Sequence, residues 1–177
     1  MAGHSKWSQI KRQKGAADAK RSQIFGKISR RISLAARKGE NPEINPDLRA
    51  VIEKAKEASM PSDNIERAIK KGAGKEKGTE LESIRFEAYG PGGTAIIIEG
   101  ITDNKNRTVA EIKHILLKNN SKLAESGSVL WAFENKDKKW LPKHTIELSE
   151  QDAEALDKLL NELDDHDDIQ EIYTNSE

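Results

Sequence analysis

The 177-residue sequence predicts an α+β protein with two domains, a helical domain followed by one that mixes strands and helices. Apolar residues recur at helical spacing as far as residue 71, and from residue 83 they alternate with polar residues, as in a half-buried strand. Between these regions, residues 72–80 are rich in glycine and lysine, which is typical of a linker. We therefore expect one domain at residues 1–78 and a second at residues 79–177.

Three helices are predicted in the first domain. Each has an apolar face with a period close to 3.6 residues and start or stop signals at its ends. The first helix is expected at residues 16–38, followed by Gly39. The second is expected to start at Asn45-Pro46 and to end at Met60-Pro61. The third is expected to start with an Asp63–Glu66 capping box and to end at Gly72.

The second domain is predicted to have the order β-β-α-β-β-α-β, an arrangement of ferredoxin-like type with both helices on one face of the sheet. The turn Gly90-Pro91-Gly92-Gly93 separates the first two strands, because a hairpin needs glycines with positive φ; an anion nest is the alternative. The remaining elements are strands at 83–89, 94–98, 128–133, 145–148 and 169–173, helices opened by Thr108–Glu111 and by Ser149, and a short polar connection at 134–140.

The formal net charge of zero conceals a strong asymmetry along the chain. Residues 1–38 contain eleven basic residues and one acidic residue, whereas residues 145–177 contain twelve acidic residues and one lysine. A basic arm on an otherwise acidic chain is typical of polyanion binding, and a solvated charged surface is the alternative.

The candidate nucleic-acid site lies in this basic arm. Lysine and arginine bind phosphates, and an aromatic ring such as that of Trp7 stacks on a base or, alternatively, completes a core. At about 100° per residue, Lys20, Lys27, Arg31 and Lys38 form one stripe on the first helix. The candidate residues are His4, Lys6, Trp7, Lys11, Arg12, Lys14, Lys20, Arg21, Lys27, Arg30, Arg31 and Lys38.

Catalytic, metal and cofactor sites are not predicted. The chain has no cysteine, and its four histidines lack the spacing of a metal motif. Residues 103–107 resemble a calcium loop only superficially, since Lys105 and Arg107 stand where oxygen ligands are needed, so we expect a polar loop there. We expect the acids around His166 to be solvated. An enzyme that uses the 103–107 loop is a remote alternative.

Targeting and membrane signals are also not found in the sequence. No run of apolar residues is long enough to cross a bilayer, and the first fifteen residues lack the apolar segment of a secretory signal. We therefore expect a cytoplasmic protein with no membrane partner, and the sequence does not predict an oligomeric state.

Five segments of the sequence are MAGHSKWSQIK, DAKRSQIFGK, MPSDNIERAIKKG, YGPGG and TDNKNRTVAEIKH. Together, and in this order, they resemble the YebC family. The resemblance implies DNA binding and control of transcription, and for some relatives ribosome association that assists translation. Longer members carry a third α/β module after Phe133, where this chain has only its short connection.

The function expected from residues and resemblance is a non-catalytic, nucleic-acid-binding regulator of gene expression. Phosphate contacts carry no sequence information, so the basic arm suits DNA, ribosomal RNA and transfer RNA equally well. Residues 46–71 mix lysine with glutamate, which disfavours a second, base-reading helix. A ribosome-associated translation factor that binds ribosomal or transfer RNA is the alternative.

Overall fold

The computed structural model describes residues 18–75 and 80–177. The described chain forms two compact units. The helical unit contains the described residues up to Glu82 together with Ile101–Asp103, and the α+β unit contains residues 83–100 and 104–177. The predicted division into domains near residue 79 stays a prediction.

The helical unit consists of α1 (Asp18–Ala36), α2 (Pro46–Glu57) and α3 (Ser62–Gly72). Asn45 caps α2 as predicted, because its side chain accepts a hydrogen bond from the amide of Leu48. The apolar faces of the three helices form one core, whose buried members are Ile32, Ala36, Leu48, Ala55, Met60, Ile65 and Ala68.

Helices α1 and α3 approach each other unusually closely. A Cβ atom at Gly72 would lie only 2.1 Å from the carbonyl oxygen of Ser33, so only glycine fits there. The Ser33 hydroxyl donates a 2.8 Å hydrogen bond to the carbonyl of Ala68, one turn earlier on α3. This contact fixes the spacing of the two helices.

The predicted capping box of α3 is wrong. The helix begins at Ser62, its N-cap is Pro61, and no side chain caps it. The amides of Asn64 and Ile65 both donate to the carbonyl of Pro61, so the backbone provides the first bonds of this helix. Because the helix starts earlier than predicted, Asp63 lies inside its first turn.

The α+β unit is built on a four-stranded sheet in the order β3-β1-β2-β6. The predicted hairpin turn between β1 and β2 is confirmed, because Gly92 and Gly93 have φ of 66° and 79° and the amide of Gly90 donates to the carbonyl of Thr94. The strands are β1 (Glu82–Tyr89), β2 (Ala95–Thr102), β3 (Lys122–Ala124) and β6 (Ile169–Thr174).

Both long helices of this unit, α4 (Lys105–Lys118) and α5 (Glu150–Asp164), pack on the same face of the sheet, as predicted. Ser149 caps α5 as expected, but α4 is capped by Asn104 and not by Thr108. Their shared core contains Ile84, Phe86, Ala88, Ile96, Ile98, Ile112, Leu116, Leu156, Leu159, Leu160, Leu163, Ile169 and Ile172.

A separate two-stranded hairpin, β4 (Phe133–Lys136) and β5 (Lys139–Pro142), replaces the predicted polar connection at 134–140. Asp137 and Lys138 form its turn with φ of 51° and 63°, the left-handed values of a type I′ turn. Contacts of Trp140 stabilise these polar strands. The indole N–H of Trp140 donates a hydrogen bond to Glu99, and the Arg85 guanidinium lies 5.3 Å from the centroid of the Trp140 ring.

Two other strand predictions are also wrong. Residues 130–132 form a short 3₁₀ helix in place of the strand predicted at 128–133. Residues 145–148 make only an isolated bridge, between Ile146 and Ser176. The α+β class is nevertheless confirmed: helices come first, and an antiparallel sheet with helices follows. Within the described residues, no helix is long and apolar enough to cross a membrane.

Candidate nucleic-acid interface

Six of the predicted site residues fall outside the part of the chain that the structure describes. The stacking of Trp7 on a base therefore stays a prediction. These six residues are His4, Lys6, Trp7, Lys11, Arg12 and Lys14.

Five further candidates lie together on α1, where Asp18 is the only acidic residue. The predicted stripe is one residue shorter than expected, because α1 ends at Ala36 and Lys38 lies beyond it. The ammonium group of Lys38 forms an ion pair with Asp47 at 3.0 Å. The candidates on the helix are Lys20, Arg21, Lys27, Arg30 and Arg31.

Arg30 is held in place by a hydrogen bond to the backbone. Its side chain is half-buried, and Nη1 donates a 3.0 Å hydrogen bond to the carbonyl of Ile101, within the helical unit. This hydrogen bond holds the guanidinium group in place. An arginine held in this way presents a fixed cation, which loses less side-chain entropy on binding than a mobile one.

Helix α3 adds cations that the sequence analysis did not select. Arg67 and Lys71 are exposed and lie one helical turn apart on the same face of α3. The mixture of lysine and glutamate over residues 46–71 obscures these two cations in the sequence. The i, i+4 spacing of Arg67 and Lys71 is the signal that could have identified them.

An open cleft of about 580 Å³ lies between α1 and α3 in the helical unit. Small residues of both helices line it, Gly26 and Ser29 from α1 and Ala68 from α3. Its charged lining comprises Arg30, Arg67, Lys71 and Asp103. The lining of the cleft thus combines three cations and one carboxylate with several small side chains.

The acids around His166 are not all solvated, which corrects the sequence expectation. Asp168 is 1 % exposed; its carboxylate forms a 2.7 Å ion pair with Arg107 and accepts a 2.7 Å hydrogen bond from Thr108. The amide of Asp168 donates to Nδ1 of His166, and Nε2 of that ring lies 2.8 Å from Glu111. Asp164 is also buried.

Three of these groups, on Glu111, His166 and Asp168, have potential metal-ligand atoms within 4.8 Å of one another. The Arg107 guanidinium already neutralises Asp168, and a cation would have to displace it. We interpret the cluster as an ion-pair network that ties the start of α4 to the loop before β6. The expected polar loop at 103–107 shrinks to Asp103 and Asn104, and Asn104 makes the helix cap.

Family models match both parts of the chain. The TACO1/YebC protein N-terminal domain matches residues 5–75, and the TACO1/YebC second and third domain matches residues 81–138 and 135–176. The two segments of the second match meet at the β4–β5 hairpin.

Named relatives extend this similarity over nearly the whole chain. A probable transcriptional regulatory protein of Petrotoga mobilis is 51% identical over 176 residues, which cover 98% of this chain and 70% of the relative. One of Fervidobacterium nodosum is 41% identical over 235 positions, covering 99% of this chain and 93% of the relative. Because this chain has 177 residues, at least 58 of those positions have no counterpart in it.

A solved structure agrees with the fold. The crystal structure of Aq1575, a conserved hypothetical protein from Aquifex aeolicus, superposes with a TM-score of 0.83 at 34% identity. The superposition covers 90% of this chain and 91% of that one. The family matches, the relatives and this shared fold all agree with the resemblance in the sequence, and the chain therefore belongs to the TACO1/YebC family.

Proposed function

We propose that this protein is a non-catalytic regulator of gene expression that binds nucleic acid through its helical unit. The observation that carries the proposal is the charge of α1, which presents five cations against the single acid Asp18. Three of these cations, Lys20, Lys27 and Arg31, share one face of the helix. A basic helix face of this kind contacts phosphates of a nucleic acid, and the release of condensed counterions drives binding.

The names of the relatives support a role in transcription, with DNA as the partner. The charges of α1 suit any nucleic acid, because phosphate contacts position a protein without reading sequence. Ribosomal RNA, bound by a factor that assists translation, is the alternative that the same charges support. The physiological target has to be identified in cells.

The interface is tested by comparing two double variants of the full chain. Lys27→Gln/Arg31→Gln removes two cations from α1, and Lys54→Gln/Lys56→Gln removes two exposed cations from α2 as a matched control. If α1 contacts phosphates, the first variant should reduce the slope of log affinity against log salt by about 0.7–0.9 per lost contact. The control should leave that slope unchanged.

Binding is measured by fluorescence anisotropy at several salt concentrations, and circular dichroism checks that both variants remain folded. Equal slopes for the two variants would remove α1 from the interface. In cells, crosslinking followed by sequencing distinguishes the targets: enrichment of promoter DNA supports the transcription role, and enrichment of ribosomal RNA supports the translation role.

A further inference from the structure

We propose that the cleft between α1 and α3 binds one unpaired nucleotide of the nucleic acid, so that the protein prefers single-stranded segments. This inference rests on the proposed function and makes it more specific. It assigns binding roles to Arg67 and Lys71, and it gives Arg30 a defined place in the cleft.

The shape of the cleft favours an unpaired nucleotide over a duplex. Its volume of about 580 Å³ is that of a small-molecule site, which typically encloses about 300–1,000 Å³. A duplex presents its phosphates on a convex surface and keeps its bases stacked inside. An unpaired nucleotide can instead turn its base into a concave site and leave its phosphate at the rim.

The charges of the cleft indicate where the phosphate lies. Arg67 and Lys71 are exposed on α3, and their Cβ atoms are about 5–6 Å apart at this i, i+4 spacing, so both side chains can reach one phosphate. We therefore place the phosphate on the α3 side.

The rest of the lining suits a nucleobase. Phe25 provides an aromatic wall, and the small residues Gly26, Ser29 and Ala68 leave room for a planar ring. Ser29 and Asn64 add a hydroxyl and an amide that can pair with polar atoms of a base edge. Proteins hold unpaired bases with this combination of an aromatic surface, room and polar groups.

Gly26 provides a direct probe of the cleft. A Cβ atom built at this position meets no described atom within 4 Å, so a side chain there enters open space without disturbing the described packing. Gly26→Gln places a side chain of several atoms in the cleft, while Gly26→Ala adds only a methyl group. The pair therefore separates filling of the cleft from any effect of losing glycine in a helix.

The experiment measures the affinity of the full chain for three fluorescent probes: a 12-nucleotide RNA without secondary structure, the same sequence as single-stranded DNA, and the DNA duplex. The variants are Gly26→Gln, Gly26→Ala, Arg67→Gln/Lys71→Gln and the control Lys54→Gln/Lys56→Gln. We expect Gly26→Gln to weaken binding of at least one single strand about tenfold, as expected from the loss of one stacked base, and to leave duplex binding unchanged.

Arg67→Gln/Lys71→Gln should reduce the salt slope on the same single strand by about 0.7 or more, and the Lys54/Lys56 control and Gly26→Ala should not. The proposal is overturned if Gly26→Gln binds every probe as the unmodified chain does, or if it weakens duplex binding equally. It is also overturned if Arg67→Gln/Lys71→Gln behaves like its control. If instead the unmodified chain binds none of the probes, the proposed function itself fails.

Discussion

The close contact of α1 with α3 makes Gly72 a sensitive position in the helical unit. We predict that Gly72→Ala destabilises this unit, whereas Gly26→Ala, the same substitution in α1, stabilises it slightly. The two glycines differ in their surroundings: a Cβ at Gly72 would lie 2.1 Å from the Ser33 carbonyl oxygen, and a Cβ at Gly26 meets no described atom within 4 Å.

The size of the effect follows from this geometry. Real Cβ atoms stay at least 3.0 Å from such a neighbour, so α1 and α3 must separate by about 1 Å. Overpacking of this kind costs about 1–3 kcal/mol, and weakening of the Ser33–Ala68 hydrogen bond adds about 0.5–1.5 kcal/mol. The better helix propensity of alanine offsets up to about 1 kcal/mol. We expect a net loss of about 2 kcal/mol for Gly72→Ala and a gain of about 0.5–1 kcal/mol for Gly26→Ala.

Amide hydrogen exchange in the full chain measures the stability of α1 and α3 directly. A loss of about 2 kcal/mol corresponds to roughly 30-fold faster exchange of their protected amides. The amides of α4 and α5 should exchange at their original rates, because the substitution lies in the other unit. If Gly72→Ala protects these amides as well as Gly26→Ala does, the reasoning from close helix contact is refuted.

Three further predictions concern the α+β unit. Arg107→Met should lower the free energy of unfolding by about 2 kcal/mol, since it leaves the buried Asp168 carboxylate without its ion pair with Arg107; the 41 % exposure of Arg107 moderates the loss. Urea unfolding measures this free energy. Adding Asp168→Asn to the variant should recover part of the lost stability. Asn119→Ala should raise the pKa of Glu162 in an NMR titration, because the Asn119 hydrogen bond is the main cause of its lowered pKa. The stability from Glu162 is present above its unfolded pKa and is lost as pH falls through the lower folded pKa. The variant should lose part of this dependence, since Lys118 and Lys158 still lower the pKa. A fragment of residues 79–177 should fold alone and bind nucleic acid poorly, because its acidic residues outnumber its basic ones; tight binding at physiological salt would contradict the assignment of the interface to the basic half.

Local sequence signals predicted the elements whose structure depends on near neighbours. The Asn45-Pro46 start of α2, the Ser149 cap of α5 and the glycine turn after β1 are each determined within a few residues, so their patterns sufficed. The same reasoning failed at β3, which is only three residues long and takes its conformation from pairing with β1. It failed again at the β4–β5 hairpin, which depends on the contacts of Trp140 with Arg85 and Glu99.

The candidate site likewise has some features that follow from the sequence and others that only the tertiary structure reveals. The sequence by itself determined the α+β class, the family resemblance and the concentration of cations on α1, because composition and helical spacing are properties of the chain alone. Only the tertiary structure brought Arg67 and Lys71 of α3 to the same cleft as Arg30, and only it paired Arg107 with Asp168, 61 residues away. Such groupings depend on how closely helices pack and where strands pair, and these long-range contacts leave no periodic pattern in the sequence.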